Sequence, residues 1–142
     1  MTTNQDKIKY LKRFTLLDKE IDRKIQEIGY WRAKLIKITP KYTDELKTPG
    51  GSIYGKTEEL VAKIVDIDSE IIADVGRLIR LRQEIKATIK AVEDERERML
   101  LAYRYLDGMT FEWIAAEMGY SWRHIHRLHS RALSNVEITT MS

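Results

Sequence analysis

The stretch Thr110-Phe-Glu-Trp-Ile-Ala-Ala-Glu-Met-Gly-Tyr-Ser-Trp-Arg-His-Ile-His-Arg-Leu-His-Ser-Arg-Ala-Leu133 decides the fold. Thr110 suits a helix N-cap, and Met109 before it is spaced to staple onto Ile114. Ile114 and Met118 fall on one helical face, and Ala115 is small where a second helix must come close. Gly119 supplies a left-handed residue that ends the first helix. Ser121 caps the second helix, with Tyr120 and Ile125 at staple spacing, and Ile125, Leu128 and Ala132 return to the core. The pattern predicts a helix-turn-helix whose core and turn are Ile114, Ala115, Met118, Gly119, Ile125 and Leu128.

That arrangement leaves Trp122, Arg123, His126 and Arg127 facing outward near the start of the second helix, the end that enters a major groove in such motifs. A guanidinium can bond guanine O6 and N7 together, so Arg123 and Arg127 are the first candidates for base edges. Ser121, His124, Ser130 and Arg131 are better placed for phosphates, which position a helix without reading sequence. Trp122 suits stacking on a base or packing at a helix start equally well. From Gly119 to Asn135 there are three arginines, three histidines and no acid, although the whole chain carries only +3 and its pI is near 9.0. Imidazoles beside DNA would gain charge between about pH 6 and 7 and tighten binding. With no cysteine and few carboxylates nearby, the three histidines are not read as a metal site.

Upstream, Asp94 can cap a helix, with Glu97 placed three residues on to reach back to it; the helix runs to Leu106 and stops at Asp107-Gly108. Further toward the N-terminus Phe14, Ile21, Ile28 and Leu35 recur every seven residues, with Leu11 and Ile25 read onto the same face. This helix is expected to stop near Thr39, ahead of Pro40. Lys41 to Thr57 reads as a loop rich in Gly and Pro. A second long helix follows from about Glu58, with Ile64, Ile71, Leu78, Ile85 and Val92 on a sevenfold stripe flanked by Leu60, Ile67 and Leu81. Asp18 and Asp74 fall in or beside these seams, where they either set register or face water.

The expected fold is all-α: a long antiparallel, coiled-coil-like hairpin over residues 1–92, with a loop at about 40–57, then a three-helix helix-turn-helix domain over residues 93–142. A two-helix hairpin buries only one seam and leaves Tyr10, Tyr30 and Trp31 without assigned partners, so the hairpin is expected to form a homo-oligomer.

The absence of cysteine removes disulfides and thiol chemistry. The N-terminus lacks the apolar run of a signal peptide, and no run of about 18 apolar residues offers a membrane span, so a cytoplasmic protein is expected. Gly50-Gly-Ser-Ile-Tyr-Gly-Lys56-Thr57 fits the phosphate-loop pattern G-x-x-x-x-G-K-[ST] letter for letter. Such a loop needs a buried strand before it, and residues 38–49 offer none, so a hairpin loop is the favoured reading. No nucleophile, paired carboxylate or base constellation emerges; neither an enzyme nor a cofactor is expected.

Asp107 to Phe111, Ile114-Ala115, Gly119 and Arg131-Ala132-Leu133 resemble region 4 of sigma-70-type sigma factors. Over nearly its full length the chain also resembles small phage and prophage late-transcription regulators of the ArpU-like or RinA-like type. The resembling stretches are Tyr30-Trp31-Arg32 before Ile38-Thr39-Pro40, Val61 to Asp66, and Tyr103-Arg104-Tyr105 leading to His126 to His129. The resemblance implies activation of late phage genes for packaging, morphogenesis or lysis. Double-stranded DNA is the implied partner, and RNA polymerase a second one. Residues 1–92 hold no second DNA-binding module, which argues against a complete sigma factor. Two rival functions share the pattern: a small terminase subunit recognising a packaging site, and a helical adaptor that does not touch DNA.

Overall fold

The protein was analysed as a computed structural model, which describes the backbone at residues 2–45 and 52–138 and the side chains at residues 2–38 and 55–138. Five helices follow one another: α1 (Asn4–Glu45), α2 (Ser52–Lys90), α3 (Glu95–Tyr105), α4 (Phe111–Met118) and α5 (Trp122–Ser134). The architecture is the expected all-α one, two long packed helices followed by three short ones. No strand occurs among the described residues.

Two boundaries differ from expectation. α1 continues through Pro40 to Glu45 instead of stopping near Thr39, and α2 begins at Ser52, six residues before Glu58. A proline inside a helix removes one hydrogen bond, here the one to the carbonyl four residues back. That carbonyl belongs to Ile36, which is 70% exposed, so water can take the place of the lost donor. The described part of the phosphate-loop pattern, residues 52–57, lies in the first turns of α2. The remainder of the expected loop falls outside the described residues.

The chain divides into two compact units, Lys19–Gly76 and Met1–Asp18 together with Arg77–Ser142. In the first, α1 and α2 pair over buried Ile21, Ile28 and Ile67. Lys24 meets Asp74 at 2.6 Å and Glu70 at 3.5 Å, and Arg32 meets Asp68 at 4.0 Å, so numbers rise on one helix as they fall on the other. The pairing is antiparallel. Of the two carboxylates left open by the sequence, Asp74 is 4% exposed and paired, whereas Asp18 faces water. A buried charge whose partner sits at one height fixes helix register, because sliding either helix would leave it unpaired. Ile25, expected on the inner face, is half exposed instead. Tyr30 and Trp31, left without partners by the sequence, find neighbours here: the Trp31 indole donates to Glu27 at 3.3 Å and carries the Lys63 ammonium over its face, while Tyr30 meets Trp31 edge-on.

In the second unit the two long helices contribute their other ends. Leu11 and Phe14 from α1, Ile85 and Ile89 from the end of α2, and Val92 just beyond it share one core with Leu100, Leu101, Tyr105, Ile114, Ile125, Leu128 and Leu133. The Tyr10 hydroxyl lies 3.2 Å from Thr88 Oγ1, and Arg13 pairs with Glu84. The change of pattern near residue 93 therefore marks a break between helices but not the edge of a compact unit. Both flanks of the break bury apolar side chains in the same core.

Candidate nucleic-acid interface

α4 and α5 are joined as the sequence predicts. Thr110 Oγ1 accepts from the Trp113 amide at 3.1 Å, and Ser121 Oγ from the His124 amide at 3.1 Å. Gly119 has φ 71°, and the turn closes as a Schellman motif, with Tyr120 N–H donating to the Ala115 carbonyl at 2.9 Å and Gly119 N–H to the Ala116 carbonyl at 3.3 Å. Ile114, Ala115, Ile125 and Leu128 are buried and Met118 is half-buried against them. α3 packs on both α4 and α5.

Three long-range contacts hold α5 in place, and periodicity gave no sign of them. Glu97, expected to reach back to the Asp94 amide, is 1% exposed and instead accepts from Asn135 Nδ2 at 3.0 Å, fixing the end of α5 to the start of α3. Asp94 caps α3 alone, accepting from the Arg96 and Glu97 amides, and those amide bonds hold its carboxyl below the usual range. Lys7 Nζ donates to the Leu133 and Ser134 carbonyls at 2.8 and 3.3 Å, placing a cation on the negative end of α5. Tyr105 and His129 are bonded at 2.7 Å, both buried. Burial pushes the phenol up to about 12. Burial first, then Arg104, pushes the imidazole down to about 4. A phenol that stays protonated donates to Nε2 of the neutral ring.

On the opposite side of α5 the side chains expected at DNA divide into two groups. Ser121, Trp122, Arg123, Arg127, Ser130 and Arg131 are exposed. Arg123, Arg127 and Arg131 follow one another every fourth residue, so they form a gently winding ridge of guanidinium groups on one face. His124 and His126 are half-buried. His124 stacks on Tyr120 with centroids 4.3 Å apart. His126 lies between Phe111, at 4.8 Å, and Trp122, at 3.9 Å, and its Nε2 is buried without a partner. Its ring is thus part of the packing beneath the exposed Trp122. His129, expected to titrate beside DNA, is in the core, and the expected rise in charge near pH 6 to 7 does not come from it. No group of three metal-ligating side chains occurs among the described residues.

Chemically the face can donate to oxyanions and to base edges and can accept little. Arg104 does not extend it: it donates to the Met109 carbonyl at 2.9 Å and lies over the Phe111 ring at 4.3 Å. The free amides at the start of α5 add a positive dipole end beside Arg123.

Residues 94–136 match the family described as Sigma-70, region 4. No curated protein and no solved structure matches the chain significantly. The match begins at the Asp94 cap and ends just past Asn135, the residue that ties α5 to α3, so it covers α3 to α5 as one piece. No described helix is long and apolar enough to cross a membrane. The C-terminal segment is a sigma-70 region 4-like helix-turn-helix domain.

Proposed function

We propose that the chain is a sequence-specific DNA-binding regulator of transcription, with α5 as the helix that reads the major groove. The observation that carries this is the exposed ridge of Arg123, Arg127 and Arg131 on α5, a helix without an acidic residue, in a helix-turn-helix of region 4 type. Arg123 and Arg127 read base edges beside Trp122; Ser121, His124, Ser130 and Arg131 hold phosphates. His126, proposed from sequence as a base contact, acts by supporting Trp122. The natural target is a promoter element of late phage genes, a reading supported by the resemblance to ArpU-like and RinA-like regulators. RNA polymerase is the second partner by analogy with region 4. The protein works as a homo-oligomer in the bacterial cytoplasm, joined through the helical hairpin, and a dimer would engage half-sites about 34 Å apart or a multiple of it.

Selection of bound fragments from the source genome, followed by footprinting and transcription with purified polymerase holoenzyme, tests the reading. A discrete protected site upstream of a gene whose transcription changes is the expected result. Protection with no change in transcription would remove the polymerase contact.

A further inference from the structure

The unit Lys19–Gly76 has two unlike faces. Arg32 and Asp68 meet across the seam at 4.0 Å and so mark one side of the helix pair. Ile25 and Ile36 stand seven residues before and four after Arg32 and share its helical face. Val61, Val65, Ile72 and Val75 stand seven and three residues before, and four and seven after, Asp68 on the matching face of α2. All six aliphatic side chains are between 38% and 70% exposed. The opposite side carries the exposed Lys63, Asp66 and Glu70. An apolar strip two helices wide, running about 21 Å from Val61 to Val75 at 1.5 Å per residue, therefore lies open with one ion pair at its middle.

We propose that this strip is where a second copy of the chain docks, α1 of each copy lying antiparallel against α2 of the other in a four-helix bundle. The strip is self-complementary in one orientation. With helices aligned, two such faces can be stacked by a twofold axis running either across the helices or along them. The first choice sets Arg32 on Arg32 and Asp68 on Asp68 of the two copies. The second sets each Arg32 on the other copy's Asp68 and each Ile25 beside the other copy's Ile72 and Val75. Opposite charges across the seam and covered aliphatic surface favour the second, and like charges exclude the first. In that dimer both hairpin ends, residues 19 and 76 of each copy, emerge at the same end of the bundle. The inference deepens the self-association proposed above and is independent of whether α5 binds DNA.

Sedimentation velocity of the full chain over a range of micromolar concentrations, with far-ultraviolet circular dichroism of every variant, tests it. Wild-type protein is expected at dimer mass, and Ile72→Asp at monomer mass with unchanged helicity, self-association weakened at least tenfold. Arg32→Asp and Asp68→Arg should each dissociate more readily, an equimolar mixture of the two should re-form a heterodimer, and the double exchange in one chain should behave as wild type. If Ile72→Asp loses helicity, the charge variants carry the test, since both side chains are more than half exposed. A wild-type monomer at tens of micromolar overturns self-association itself. A dimer that Ile72→Asp and the charge variants leave intact overturns this surface alone, and a mass above dimer overturns the twofold arrangement.

Discussion

If α5 reads DNA as proposed, the three arginines on its one face have different duties, and their replacement should separate them. Arg127→Ala should relax base preference at one position of the site at a cost of about 1 to 3 kcal/mol, while Arg131→Ala should weaken all duplexes alike and lower the salt slope by about one. Binding measured on matched and mismatched duplexes at several salt concentrations distinguishes the two. His129 makes a second prediction at the same scale. Its imidazole is held at about 4, below the ordinary 6.5, so the unfolded chain takes up a proton first as pH falls. This contribution is therefore complete well above pH 6.5 and declines between 6.5 and about 4, by on the order of 3 kcal/mol. His129→Gln, which can still accept from Tyr105 but cannot charge, should flatten that decline in denaturant titrations at pH 7 and pH 5. Asp94, held below its usual range, adds a further loss at still lower pH: its share is complete above the ordinary carboxylate value and is lost as pH falls from there through the lowered one. From sequence all three histidines were read as able to gain charge beside DNA, because helical spacing places a ring on a face but does not show that Tyr105, 24 residues from His129, waits there for it.

The helix ends were the most legible elements. Thr110, Ser121 and Gly119 act through their own backbone neighbours, so their chemistry is written within three or four residues of chain. Gly119→Ala should cost about 1 kcal/mol, since its φ of 71° is unfavourable for any side chain although an added Cβ would meet nothing within 4 Å. Gly119→Asn should cost less, because asparagine tolerates the left-handed region. Thermal unfolding of both variants checks the order. Pro40 illustrates the converse: the rule that proline ends a helix is a statement about cost, and the exposed position of Ile36, whose carbonyl loses its donor, lowers that cost. The seam residues Phe14, Ile21, Ile28, Ile67, Ile85 and Val92 were found by period alone. Ile25 was misread, because an aliphatic residue near a seam satisfies the same spacing whether it faces inward or serves a second surface.

Across the whole molecule, the region 4-like segment shares its core with the ends of the two long helices. Leu11, Phe14, Ile85 and Ile89 lie in the cluster that also buries Leu100, Ile125 and Leu128, and Lys7 caps α5 from the far end of the sequence. A fragment of residues 93–142 should thus lose most of its helical signal in circular dichroism, and adding residues 1–92 in trans should not restore it at equal concentration. A fragment that folds cooperatively alone would contradict this dependence. Sequence reasoning placed the boundary at 93 because local pattern changes there; which distant helices fill the same core is a property of tertiary packing that no local pattern encodes.

The account rests on the guanidinium ridge of α5 meeting duplex DNA, and a single comparison tests it most directly. Affinity of the full chain for its footprinted genomic site is measured by fluorescence anisotropy for wild type and for Arg123→Ala/Arg127→Ala, with circular dichroism confirming that the double variant folds. The account predicts specific binding by wild type and its loss, leaving only weak sequence-independent affinity, in the double variant. Undiminished affinity and sequence preference after both guanidinium groups are removed would contradict it.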